Sequence, residues 1–297
     1  MRLLVPAPAE RLAVFRVLVG VFSLGYLAVR LPVFLALTDA SPSRFAPVGA
    51  LAWLDAPLAD VVVRAFLLGT LVLGIAYTAG AAFRVTGPAY GLLLLVVTTY
   101  RSSWGQLLYF ENLMVLHVLI VGFTRSADAL SIDARQERTD RPADVAYGWP
   151  LQLAAMITAV TYVLAAIAKL RIGGLSWMVG DTLRNHVAYS AARLELLGGT
   201  PSPVAGPLVA HSWLFRPLAV ATVGIELAAP LALLGGKIRT AWVALAWLLH
   251  AGVAALMFVV FPYPLVLLAF APLFPLERLA RVGARPKVRI ARSRMDL

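Results

Sequence analysis

Runs of apolar residues long enough to cross a lipid bilayer recur along this whole chain, and they leave few folds open to it. A helix needs about 20 apolar residues to span the hydrocarbon core, with somewhat shorter runs tolerated. Eight segments qualify, at residues 12–35, 61–82, 86–100, 107–123, 149–170, 214–234, 240–261 and 264–276, the third and the last being the shortest. Composition agrees. Of 297 residues 61% are hydrophobic and 14% charged, where soluble domains run at about 45–50% and about 25%. The expected fold is therefore an all-α, polytopic transmembrane helical bundle of about eight spans.

The distribution of charge orients it. With an inside N-terminus, the inner segments hold Arg2, Arg11, Arg84, Arg125, Arg135, Arg138, Arg141, Lys237 and Arg239, while the short outer loops hold little beyond Arg44 and Arg101. The tail adds Arg278, Arg281, Arg285, Lys287, Arg289, Arg292 and Arg294. This reads as a multi-pass cell-membrane protein with both termini cytoplasmic, a transmembrane domain over 1–276 and a basic cytoplasmic tail over 277–297. The net charge of +11 suits anionic lipid. No basic-aromatic module accompanies it, so nucleic acid is not an expected partner. Glu10, Arg11 and Arg16 interrupt the first run too early for a cleavable signal peptide.

Cysteine is absent, which excludes disulfides, thiolate metal sites and thiol nucleophiles. No Walker loop, His-Glu-x-x-His pair or dinucleotide fingerprint occurs, and no metal is expected. The long outer connection, 173–207, opens with Trp177, Val179, Leu183, Val187, Ala191 and Leu194 at roughly helical spacing. Residues 176–197 are expected to form an amphipathic helix on the outer membrane surface or capping the bundle. Phe261-Pro262-Tyr263-Pro264 breaks helix geometry and predicts a tight hairpin between the last two spans. Gly69, Gly74, Gly80 and the stretch from Gly87 to Gly91 suggest close helix approach.

Function has to come from the few polar groups inside the spans, because ionisable residues there are expensive and are usually paired or functional. Tyr162, Ala166 and Lys169 fall at i, i+4 and i+7 on one face of the fifth span. The chain has three lysines against twenty-three arginines. An ammonium can lose its proton on desolvation and a guanidinium cannot, so Lys169 permits a base; snorkelling to outer headgroups is the plainer alternative. Glu226 and His250 lie at similar depth, roughly 15–18 Å along consecutive antiparallel spans at about 1.5 Å per residue. An interhelical Glu226–His250 bond would make either an acid/base site or a packing clip. Glu111 and Asn112, after Trp104 and Gln106, could line a cavity open to the outer side. His117 suits a hydrogen-bonded packing role, and Arg16 and Arg30 can snorkel.

Leu12-Ala-Val-Phe-Arg16-Val-Leu-Val-Gly20 resembles the first membrane helix of the vitamin K-dependent gamma-glutamyl carboxylases and their HTTM-domain relatives. Tyr162-Val-Leu-Ala-Ala-Ile-Ala-Lys169-Leu170, followed by Trp177 and Gly180, is similar to the carboxylase stretch that holds its proposed catalytic-base lysine, and Lys169 falls on that lysine. His250 with Phe261 and Ala271-Pro-Leu-Phe274 is similar to the family's His-bearing helix and closing motif. The resemblance implies a helical bundle with a quinone-sized pocket toward the extracytoplasmic side. It implies a reduced quinone of menaquinone or vitamin K type as cofactor and Lys169 as base; on that hypothesis Tyr162 would orient Lys169, and Glu226 with His250 would form a second polar site. Glu111, Asn112, His117, Trp177 and Arg16 would line the cofactor pocket.

Two departures qualify the implied activity. The chain has Glu111-Asn112 where the carboxylases carry an Asn-His pair, and their large luminal domain has no counterpart after the last expected span, which points away from carboxylation of protein. The expected function is a membrane enzyme acting on a quinone or other lipophilic substrate. The alternative is a non-catalytic scaffold or subunit for a membrane or extracytoplasmic protein partner.

Overall fold

The computed structural model describes residues 4–105, 109–136 and 142–282; Gln106, Arg138, Arg141 and the tail from 283 onward lie outside the described residues. Among the described residues the secondary structure is helical throughout, without a strand. In chain order the α-helices are α1 (Ala9–Leu35), α2 (Asp60–Ala79), α3 (Phe83–Ser102), α4 (Tyr109–Gly122), α5 (Ile132–Gln136), α6 (Val145–Gly173) and α7 (Ser176–Val179). They continue with α8 (Thr182–Leu196), α9 (Ala205–Ala210), α10 (Phe215–Leu227), α11 (Gly236–Met257), α12 (Pro262–Leu265) and α13 (Glu277–Val282).

Among the described residues, four helical segments are long and apolar enough to cross a membrane, namely Ala9–Asp39, Asp60–Ala79, Val145–Gly173 and Gly236–Met257. A bent pair, Phe110–Gly122 with Ser126–Arg135 at 64°, would be a fifth. The chain is an integral membrane protein, but the expected eight spans are not met by eight such helices. Prolines and charges explain the difference. The third expected span falls on α3, which carries Arg84, Pro88 and Arg101. The sixth changes at Ala228 from α10 into a 3-10 helix, Ala229–Leu234, with Pro230 in its first turn. The eighth is α12 plus a 3-10 helix, Leu268–Leu273, whose Ala269, Phe270, Ala271 and Leu273 are buried inside the bundle. Each proline removes a backbone donor, and the tighter helix keeps the remaining groups bonded over a short length.

Helix α1 is the hub. Its apolar window is 56% buried, against 17% for α11 at the periphery, and it packs on α2, α4 and α6. Ala7 and Asp144 exchange backbone hydrogen bonds at 3.0 Å, tying the chain start to the start of α6, where the Asp144 side chain caps the Ala146 N–H at 2.7 Å. At the other end, Arg11 grips Glu277 with two bonds of 2.6 and 2.7 Å. The close approach expected near Gly87 is met: a Cβ on Gly87 would lie 2.5 Å from the Gly122 carbonyl oxygen, and one on Gly122 2.5 Å from that of Gly87. The α3–α4 crossing therefore needs hydrogen at both positions.

The expected amphipathic helix over 176–197 is divided in two. Gly180 is extended there, and a Cβ on it would meet the Ser176 carbonyl oxygen at 2.6 Å. Beyond the break, α8 turns Val187 and, partly, Leu183 and Ala191 inward toward Ala205 and Phe215, and exposes Asn185, His186 and Arg193. It caps the bundle with a mixed outer face, on which Tyr189 and Leu196 are exposed as well.

Candidate functional site

The site is assembled by three elements around one face of α6. Tyr162 and Ala166 on that face are buried, and Lys169 follows two turns after Tyr162, partly covered. Facing it, Glu226 occupies the last turn of α10, where Ala219 and Val223 on the same side pack against Ala166. Lys169 Nζ donates to Glu226 Oε1 at 2.6 Å and to Oε2 at 2.9 Å. The lysine side chain is 26% exposed and the glutamate 7%. The ring of Trp177, from α7, covers the ammonium at 5.5 Å. A carboxylate and the negative face of an indole thus enclose one cation in an apolar setting. The snorkelled alternative for Lys169 is not what forms.

The second polar pair lies two helical turns away along α6. Tyr162 Oη and His250 Nε2 are 2.7 Å apart. Trp242 stands edge-on to the Tyr162 ring at 5.1 Å, and Phe261 leans on His250 at 5.0 Å. The expected Glu226–His250 bond is therefore replaced: each residue pairs with α6 instead, Glu226 with Lys169 and His250 with Tyr162. The reason is geometric, since α6 packs against α10 and presents two polar side chains seven residues apart, one for each neighbouring helix.

The other expected site residues lie elsewhere. Glu111 is buried, accepting from the Tyr26 hydroxyl and from Arg101 Nη1 at 3.0 Å, with Arg30 stacked over the Tyr26 ring at 4.9 Å. Asn112, about 100° further around α4, is exposed, so the two do not line one cavity. His117 is fully buried, with Nδ1 2.8 Å from Tyr263 Oη and Nε2 3.2 Å from both Ala154 O and Thr158 Oγ1. That is the packing role its surroundings in the sequence suggest. Arg16 does not snorkel. It is fully buried and donates to Ser126 O and Leu130 O at 2.6 Å each, closing the turn after α4. Of the expected residues, then, Lys169, Glu226, Trp177, Tyr162 and His250 come together; Glu111, Asn112, His117 and Arg16 do not join them.

Sequence reading missed Trp242, Tyr26 and Arg101. Arg101 was legible in principle, being a charge at the end of one apolar run ten residues before a carboxylate at the start of the next. Trp242 gave no signal, since an indole in an apolar run looks like any other. An apolar crevice lies between Phe34, Leu67 and Tyr100, and a surface groove runs along Gly236, Thr240 and Ala244; neither is lined by the Lys169 cluster. Among the described residues, no three His, Asp or Glu side chains converge as a metal site would require.

No curated protein and no solved structure matches the chain. The model of the HTTM domain family matches residues 5–277, the stretch that Arg11 and Glu277 clamp at its two ends and that contains the whole Lys169 cluster. The chain belongs to the HTTM domain family.

Proposed function

We propose that this HTTM-domain protein is a membrane enzyme that binds a lipophilic, oxygen-bearing ring, a reduced quinone of menaquinone or vitamin K type, beside the Lys169–Glu226 pair. The observation that carries the reading is the ion pair itself, held against Trp177 near the end of a membrane-spanning helix. Its donor set fits such a ring: an ammonium, a carboxylate, a phenol and an imidazole, beside the face of Trp177 and the ring of Trp242. A bound reduced quinone supplies electrons and an acidic hydroxyl. The protein supplies proton handling. Lys169 could pass a proton to Glu226 over the 2.6 Å bond, and the amine so freed would be the base for a hydroxyl held beside it. Trp177 covers the amine and keeps water from competing for it. Tyr162 and His250, fixed by Trp242 and Phe261, would help to hold such a ring. The likeness to the carboxylases supports a quinone over other lipophilic rings. We read the topology as eight crossings with cytoplasmic termini, in which α3, α4, α10 and the 264–276 segment complete the four long helices.

Lipid extraction of the purified protein tests this. The reading expects near-stoichiometric quinone in the wild type and its loss in Lys169→Met and Trp177→Ala. Protein that retains no quinone and shows no saturable uptake of added menaquinone overturns it.

A second reading is supported by the row Gly236, Thr240 and Ala244, which lines an open groove on the most exposed span. There the chain is a non-catalytic subunit whose α11 packs on a helix of a membrane partner. Ala244→Leu then abolishes cross-linking to that partner, and Lys169→Met leaves it intact.

A further inference from the structure

The lipid-facing stripe of α6 does not stop where the helix stops. Val160, Leu164 and Ile167 are exposed at spacings of four and three residues, the same line reaches Arg171 in the last turn, and Leu175, just past the helix end, is exposed too. With 29 residues, α6 measures about 43 Å at 1.5 Å per residue, against a hydrocarbon core of about 30 Å. One end therefore stands at the headgroup level, and Arg171 and Ile172 mark it. Gly174, at φ +57°, then reverses the chain, a left-handed conformation open to glycine at little cost. The short helix α7 that follows is two-sided. Trp177 points inward, 7% exposed, onto Lys169, whereas Ile172, Leu175 and Val179 around it are 90%, 72% and 58% exposed.

Apolar side chains this bare, beside an exposed arginine and continuous with the lipid face of a span, match the interfacial zone of a bilayer, where guanidinium groups meet phosphates and apolar groups enter the acyl region. The contrast with α8 is internal to the molecule. Its exposed face carries Asn185, His186 and Arg193 as well as Tyr189 and Leu196, a mixed surface. We propose that α7 and its flanking turn dip into the lipid leaflet at the Lys169 end of α6, so that Trp177 is seated on the ammonium by a segment whose other side is held by lipid. The Lys169 cluster then has its edge on the membrane and not on bulk water. This does not depend on which molecule the ion pair handles.

The chain has no cysteine, so single thiols can be introduced one at a time without background. Ile172→Cys, Leu175→Cys, Val179→Cys and, as a water-facing control, Asn185→Cys are labelled with a nitroxide in the full-length protein. The labelled proteins are reconstituted into phosphatidylcholine–phosphatidylglycerol vesicles. Collision rates are measured with oxygen, which partitions into lipid, and with a water-soluble nickel chelate. The expected result is an oxygen-to-nickel ratio several-fold higher at 172, 175 and 179 than at 185. Ratios at those three positions equal to that at 185 place α7 in water and overturn the proposal. Protection from both reagents means a protein surface covers it, and overturns it equally.

Discussion

Lys169 and Glu226 form a two-pronged ion pair between α6 and α10, at 2.6 and 2.9 Å, with the carboxylate almost entirely shielded from solvent. Such a pair is balanced only as a pair. Removing the lysine strands a desolvated carboxylate, whereas replacing both with apolar groups removes charge and counter-charge together.

The first prediction concerns that balance. Lys169→Met should lower stability by about 1–3 kcal/mol, below the roughly 3–5 kcal/mol of a fully buried pair because the lysine is partly exposed. The double change Lys169→Met with Glu226→Leu should recover most of the loss while remaining without function. Thermal unfolding in detergent measures both. A double variant no more stable than Lys169→Met would show that the two residues are not coupled.

Arg16 should prove a structural keystone. Its two 2.6 Å bonds satisfy the carbonyls of Ser126 and Leu130, and each buried carbonyl left bare costs about 1–3 kcal/mol. Arg16→Met should therefore cost about 2–4 kcal/mol. Arg16→Lys should recover less than half of that, because one ammonium cannot reproduce the planar fork that spans both carbonyls. Full recovery by lysine, read from melting temperatures, would contradict the geometry.

His117→Phe should separate packing from ligand binding. The substitution removes the bonds to Tyr263 and Ala154, and stability should fall by about 1–3 kcal/mol. Quinone content per folded molecule should stay unchanged, since His117 bonds to Tyr263, Ala154 and Thr158 and to no member of the Lys169 cluster. Loss of bound quinone without loss of stability would return this residue to the cofactor site.

The α3–α4 crossing offers a test of close packing. Gly87→Ala or Gly122→Ala places a methyl 2.5 Å from the opposite helix's carbonyl oxygen, and the helices must part. A loss of about 1–3 kcal/mol is expected from either change. Gly224→Ala, where a Cβ meets nothing within 4 Å, is the control and should be close to neutral.

Much of the bundle and part of the site were legible before any fold was seen. The long apolar runs located α1, α2, α6 and α11 because helical length and lipid thickness are local matters. Tyr162 and Lys169 could be placed on one face of α6 from spacing alone. Their partners could not. Whether Glu226 meets His250 or Lys169 depends on how α10 and α11 rotate about their own axes, and packing against α6 decides that. Asn112 was misplaced for a related reason, since one residue along α4 separates the interior from the surface. The eighth apolar run forms no long apolar helix, and hydropathy does not distinguish lipid contact from burial in protein. Its prolines carried the missing information, and they turned residues 268–273 into a buried 3-10 helix.

The most direct measurement is equilibrium binding of a reduced menaquinone analogue to the protein in lipid nanodiscs, for wild type, Lys169→Met, Glu226→Gln and Trp177→Ala. The account predicts saturable binding to wild type, weakened at least about tenfold, or about 1.4 kcal/mol, in each variant. Equal affinity in all four proteins, or no saturable binding to the wild type, would contradict it.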